Sequence, residues 1–246
     1  MKSKVIVITG ASSGIGMETA KLLASAGHKL ILAARREEKL KALVTSIKNK
    51  NGEANYLVTD VTKHHEVEKL AQFAIKTFNK IDVWINNAGI MILTSLKQKN
   101  IKDWDETIDV NIKGTLYGIA ASLPLMYQQN SGHIINISSI AAHFAHAGEA
   151  VYSATKWAVR AISESLREEV AKDKTNIRIT VISPGAINTE LLNRVTDKEF
   201  SSEFKEYYKT YSISAERIAL TIKQAIELPA DATWNEIIIR PTNEIM

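Results

Sequence analysis

The stretch Val5-Ile6-Val7-Ile8-Thr9-Gly10-Ala11-Ser12-Ser13-Gly14-Ile15-Gly16 decides how the rest of the chain is read. A run of β-branched residues, bounded by Lys4 and a glycine-rich segment, predicts a short buried strand over Val5–Ile8. Apolar residues then recur at three and four, which predicts a helix over Ile15–Ala26. The loop between them is built of small residues. Gly10 can make the tight turn out of the strand, Gly14 lets backbone approach a pyrophosphate, and Gly16 lets the helix pack close to the sheet. The helix N-terminus faces the same loop with unpaired amides and the positive end of its dipole, so a dinucleotide is the natural occupant. A strand-to-helix turn without a ligand has the same composition. The glycine spacing of four and then two also departs from the G-x-G-x-x-G fingerprint.

Working outward, similar apolar runs at Lys29–Ala33, Asn55–Val58, Val83–Ile85, His133–Ile137, Arg178–Ile182 and Glu236–Ile239 bring the strand candidates to seven. Helical spacing marks Ile15–Ala26, Glu37–Asn49, His65–Phe78, Trp104–Met126, Val151–Lys172 and Ala215–Glu227 between them. Alternating strand and helix predicts an α/β chain: a three-layer, doubly wound Rossmann fold around a central parallel seven-stranded sheet. Four prolines, no Ser/Gly-rich linker and no fixed repeat predict a single domain over residues 1–246. The least regular stretch is Ala186–Tyr211, where Phe200, Phe204, Tyr207, Tyr208 and Tyr211 stand among charges. It reads as a substrate lid at about 186–211.

Composition narrows the function classes. The chain is 45% hydrophobic and 24% charged, ordinary globular usage. The net charge of +4 comes from lysines scattered through helices, as from Lys39 to Lys50, so no nucleic-acid partner is expected. With no cysteine there is no disulfide framework and no thiolate nucleophile, which fits a reducing compartment, and a cytoplasmic location is expected. Val5–Ile8 is too short for a signal peptide, and nowhere do about 18 apolar residues follow one another, so no membrane partner is expected. His143 and His146 lack a carboxylate cluster to complete a metal site. They read as pocket lining or as a solvated loop, and no metal is expected. Asp103, Asp105, Glu106 and Asp109 suit a helix start rather than chemistry.

Two constellations point to a reaction. The second strand ends in Leu32-Ala33-Ala34-Arg35-Arg36, where NAD sites tend to carry an acid for the ribose hydroxyls. Here two guanidiniums stand instead, planar forks suited to a 2′-phosphate, with the Ser13 hydroxyl available beside Gly14. NADP(H) is therefore favoured over NAD(H), with Arg35 the first candidate and Arg36 the next. The alternative is that both arginines solvate the start of the Glu37–Asn49 helix. Farther on, Tyr152 and Lys156 are four apart in a helical segment and share one face. A phenol titrating near about 10 needs a nearby cation to act at neutral pH, and Lys156 can supply it. Ser139 sits at the C-terminal end of a strand, where open α/β sheets place ligands, and its hydroxyl can hydrogen-bond a substrate carbonyl.

Five motifs in order along the chain resemble the single-domain short-chain dehydrogenases/reductases. They are the glycine loop, Asn86-Asn87-Ala88-Gly89, Asn111, Ser139 thirteen residues before Tyr152, and the Tyr-x-x-x-Lys ending at Lys156; Pro184-Gly185 follows. The resemblance implies that Tyr152 is general acid for carbonyl reduction and base for alcohol oxidation, and that Ser139 orients the carbonyl. It implies that Lys156 holds the nicotinamide ribose and lowers the Tyr152 pKa, with Asn111 positioning a proton-relay water. It further implies cofactor contacts from Gly10, Ser12, Ser13, Gly14, Ile15 and Gly16, with Asp60 and Val61 near the adenine and Asn87, followed by Ala88 and Gly89, beside its ribose. Ile187 and Thr189, after Pro184 and Gly185, fall near the carboxamide. Thr155, where many relatives have serine, and Trp157 are mild departures.

The implied partner is a small-molecule carbonyl or alcohol, and the implied assembly a homotetramer or else a homodimer. The ending Ile237-Ile238-Ile239-Arg240-Pro241-Thr242 resembles a 3-hydroxy-acid or serine dehydrogenase-like subgroup, and Arg194, Lys198 and Lys205 would suit a carboxylate. A non-catalytic NADP(H)-binding sensor is the alternative, which the intact Ser139, Tyr152 and Lys156 argue against. An epimerase with a separate substrate domain lacks the chain length.

Overall fold

A computed structural model of the chain describes residues 3–191 and 198–245, with the side chains of all but 198–203 among them. Seven strands form one sheet: β1 (Val5–Thr9), β2 (Lys29–Ala34), β3 (Glu53–Val58), β4 (Val83–Asn86), β5 (Gly132–Ile137), β6 (Ile177–Pro184) and β9 (Glu236–Ile239). Their order is β3-β2-β1-β4-β5-β6-β9, and every pairing is parallel. Chain order steps outward from β1 to β3 and then returns to β4 on the other side of β1. A crevice opens at that switch point, above the carboxyl ends of the strands.

The inner strands β1, β2, β4, β5 and β6 are buried on both faces, and this is why they read as continuous apolar runs, whereas the edge strands β3 and β9 are only partly covered. Ile6, Ile8, Leu30 and Leu32 face α1 (Gly14–Ser25), α2 (Glu37–Lys48) and α8 (Ala215–Glu227), where Leu23, Leu40, Ile47, Ile218 and Ile222 complete one core. Val7, Ile31, Trp84 and Ile134 face α3 (His64–Phe78), α5 (Gly114–Gln129) and α6 (Ala150–Lys172), with Leu70, Ile119, Met126 and Leu166. The last carbonyls around α8 are collected by buried Arg178 and half-buried Lys4. Arg178 donates to Ala225, Ile226, Leu228 and Ala232, and Lys4 Nζ donates to Ile226 at 2.9 Å. Among the described residues, no helix is long and apolar enough to cross a membrane.

Two expectations change. The single helix read over Trp104–Met126 is α4 (Ile101–Ile108), a π-helical turn over Asp109–Lys113, and then α5, which carries Pro124 inside it. The wide turn is pinned by Asn111, whose side chain is fully buried and bonded outside its own helix. The stretch read as irregular over Ala186–Tyr211 holds β7 (Ile187–Asn188) and α7 (Lys198–Tyr211). β7 pairs in parallel with β8 (Ile213–Ser214), so both ends of this excursion are tied together. Phe204, Tyr207, Tyr208 and Tyr211 repeat at three and four, a helical period set within a polar segment.

Candidate active site

The glycine loop leaves β1 at the switch point, and each glycine answers a contact. Gly10 has φ +66° and lies so close to the Ala88 backbone that a Cβ would come within 2.7 Å of it. Gly14 has φ +53° beside the Thr189 side chain, and a Cβ on Gly16 would meet the Gly10 carbonyl at 2.5 Å. Gly16 thus packs α1 onto the loop rather than onto the sheet itself. Thr9 fastens this loop to the end of β4: its Oγ1 donates to Ile85 O and accepts from the Asn87 and Ala88 amides, all at 3.1–3.2 Å. Asn87 Nδ2 returns to the carbonyls of Thr9 and Gly10.

A cavity of about 430 Å³ opens above these loops. Gly10, Ser12, Ser13, Gly14, Ile15, Arg35, Arg36, Asp60, Val61, Asn87, Ala88 and Gly89 line it, together with Ser139, Tyr152, Lys156, Pro184, Gly185, Ile187 and Thr189. Gly16 and Asn111 stand just behind, and neither His143 nor His146 lines the wall. His143 instead rests its Nε2 3.3 Å from Ser183 Oγ, beside Glu236. The α1 N-terminus carries no side-chain cap and no acid in its first turn, so the cavity meets a positive helix end with free amides. This cradle fits a dinucleotide pyrophosphate. Asp60 spends Oδ1 on the Thr62 amide and hydroxyl. Among the described residues, no group of three potential ligands is placed to hold a metal ion.

The reacting end lies where β5 meets α6. Tyr152 and Lys156 are both buried on the first turns of α6. Lys156 Nζ donates to Ile137 O at 3.0 Å and stands 5.7 Å from the Tyr152 ring centre. Burial pushes the Tyr152 phenol up to about 12, opposed by hydrogen bonding to Ser139. Burial also pulls the Lys156 ammonium down to about 8. Ser139 Oγ accepts from the Ala141 amide at 3.2 Å, which leaves its O–H to donate into the cavity. Asn111 Oδ1 accepts from Ile90 N, and its Nδ2 donates to Ile90 O and to Thr155 Oγ1, so both amide hydrogens are taken. Asn111 thereby fixes the π-turn against α6 one residue from Lys156.

The sequence marked Phe204 and Tyr208 only as part of the lid stretch and gave no role to Leu191, Met91 or Leu93. Leu191, Phe204 and Tyr208 pack with Met91, Leu93 and Ala141 around Tyr152, which makes the reacting end apolar. Tyr208 also lines the cavity, and burial raises its phenol further than that of Tyr152. Its place in the helical aromatic repeat was the available signal. Of the three cations read in the lid, Arg194 lies outside the described residues, as does the Lys198 side chain, and Lys205 is exposed away from the wall. Glu190 joins the cavity beside Arg36, a position no motif marks.

The profile of the short chain dehydrogenase family matches residues 4–199. An oxidoreductase of Listeria monocytogenes is 51% identical over 244 residues, covering 99% of this chain and 98% of the relative. Among solved structures, the closed form of serine dehydrogenase complexed with NADP+ has a TM-score of 0.90 at 31% identity, covering 98% of this chain and 96% of that one. A short chain dehydrogenase/reductase from Burkholderia phymatum in complex with NAD has a TM-score of 0.89 at 27% identity, covering 96% and 89%.

Proposed function

Because the chain belongs to the short-chain dehydrogenase family and is an oxidoreductase of that kind, we propose that it interconverts a carbonyl and an alcohol with NADP(H), using Tyr152 as the general acid and base. The observation that carries this reading is the convergence of the Tyr152 phenol, the Ser139 hydroxyl and the Lys156 ammonium on the cavity that the glycine loop opens. When bound, the nicotinamide supplies or accepts the hydride.

In the reducing direction Tyr152 donates its proton to the carbonyl oxygen, while the Ser139 O–H donates a hydrogen bond that holds the same oxygen in place. Lys156 brings the positive charge that stabilises the phenolate left behind and offers its ammonium hydrogens to the cofactor ribose. Asn111 acts as a positioning residue, holding Thr155 and Ile90 so that Lys156 keeps its place, with one Oδ1 lone pair left for a relay water. Met91, Leu93, Leu191 and Tyr208 keep bulk water from the reacting carbon.

The absence of an acid at Ala34 and the presence of Arg35 and Arg36 on the wall support NADP(H) over NAD(H). Arg35 has no ionic or hydrogen-bonded partner among the described residues, so its guanidinium is ready for a 2′-phosphate. Arg35→Ala is expected to weaken NADPH binding by roughly tenfold or more and leave NADH binding unchanged. Small hydroxy acids are the proposed substrate class, supported by the likeness to serine dehydrogenase. The exposed Leu116, Trp157 and Ile238 support a homotetrameric assembly, and a cytoplasmic location is proposed with it. Mixing the protein with NADPH and aldehydes or ketones, or with NADP+ and hydroxy acids, and following nicotinamide absorbance tests the whole reading. At least one pair is expected to turn over. Tight NADPH binding with no turnover across the panel would contradict it.

A further inference from the structure

The wall where β2 ends and the glycine loop begins carries a carboxylate that the reaction does not use. Glu190, two residues beyond β7, accepts from Arg36 Nη1 and from Lys39 Nζ, each at 2.6 Å. Arg36 at the same time donates from Nε and Nη2 to Ser12 Oγ, at 3.1 and 2.9 Å, and from Nη2 to Ser13 Oγ at 2.7 Å. One guanidinium therefore holds both loop hydroxyls and the Glu190 carboxylate, with a second cation three residues on. Two cations and two hydroxyls are the donor set of a phosphate site, and an anion already sits on the cations. Hydrogen bonds from Lys39 and then Arg36 hold the Glu190 carboxyl down at about 2, so it is fully ionised there.

We propose that Glu190 is an internal stand-in for the cofactor's 2′-phosphate, neutralising Arg36 and Lys39 until a phosphate displaces it. This rests on the NADP(H) reading above and adds what sets the affinity. The exchange is feasible because the bridges are weak. Arg36, Lys39 and Glu190 side chains are 45%, 46% and 43% exposed, so water competes for each of them. A phosphate near its second ionisation brings more charge and three acceptor oxygens against the two of a carboxylate. Arg35, which has no partner among the described residues, is the first contact that needs no exchange. Glu190 is also set between Thr189, whose side chain closes on Gly14, and Leu191, which packs with Phe204 and Tyr208 near Tyr152.

The test is a titration of the full chain with NADPH and with NADH, by calorimetry, for the wild type and Glu190→Gln over a range of salt. Glu190→Gln is expected to tighten NADPH roughly three- to tenfold, the loss of two weak competing bridges, and to leave NADH within about twofold. NADPH affinity in the variant should also fall more steeply with salt, because its bare cations are screened where the wild type exchanges one ion pair for another. A wild type that prefers NADPH and a variant with unchanged or weaker NADPH binding would overturn the proposal alone. No preference for NADPH in either protein would overturn the NADP(H) reading and this proposal with it.

Discussion

At Lys156 a single side chain shows how function and stability oppose each other. Its ammonium is buried and donates to the Ile137 carbonyl, and burial lowers its pKa from 10.5 to about 8. At neutral pH that depression represents roughly 3 kcal/mol of folding stability forgone. The folded chain releases this proton near pH 8 and the unfolded chain near 10.5, so the unfolded state holds more protons between those values and stability rises across the window. Tyr152 works in the opposite sense, keeping its proton to about 12 in the folded chain and so drawing stability down above pH 10. Lys156→Met is therefore expected to be about 3 kcal/mol more stable than the wild type at pH 7 in the absence of cofactor, and to be catalytically dead. Urea unfolding at a series of pH values checks this. The gap should close from pH 8 to 10.5, whereas a pH-independent gap would mean that methionine packing, not a buried charge, sets the difference.

The elements around the site are locked by a buried polar chain that runs through the sheet. Trp84 Nε1 donates to Asn86 Oδ1, Asn86 Nδ2 to Asn136 Oδ1, and Asn136 Nδ2 to Ser163 Oγ, each at 2.8 Å, and Ser163 ends the chain on Val159 O. It ties β4 to β5 and β5 to α6, the helix that carries Tyr152 and Lys156. α5 comes close enough over it that a Cβ on Gly118 would strike Asn86. Asn136→Ala would leave the Asn86 amide without its acceptor and remove the donor to Ser163 Oγ, which keeps its own bond to Val159 O, at a cost of about 1–3 kcal/mol. Chemical denaturation with unchanged m-value should show that loss, and a change under about 0.5 kcal/mol would mean that water replaces the side chain. None of this chain was legible in the sequence, because Asn86, Asn136 and Ser163 lie in separate elements and meet only after folding. The inner strands were legible, since burial on both faces writes itself as unbroken apolar runs, and α8 follows its periodicity from end to end. The π-turn at Asp109–Lys113 was hidden because one extra residue per turn leaves local apolar spacing nearly intact, and α7 was hidden by the charges between its aromatic residues.

For the whole molecule, strand order explains why distant motifs become one site. All strands run parallel and the strand order reverses between β1 and β4, so the loops after β1, β2, β4, β5 and β6 all open on one crevice. That is why glycine loop, second-strand arginines, Ser139 and Pro184-Gly185 were readable as separate signals and assemble without any long rearrangement. What the sequence left open within the 186–211 stretch is which side chains meet the cavity: Glu190 stands against Arg36, and Leu191, Phe204 and Tyr208 stand against Tyr152. The central claim is that Tyr152 moves the substrate proton. The direct measurement compares NADPH oxidation by the wild type and Tyr152→Phe on a carbonyl that the wild type reduces, with NADPH affinity measured alongside. A fall in kcat of about 10²–10⁴-fold with NADPH affinity held within about twofold is predicted. A variant that turns over at the wild-type rate would contradict the assignment.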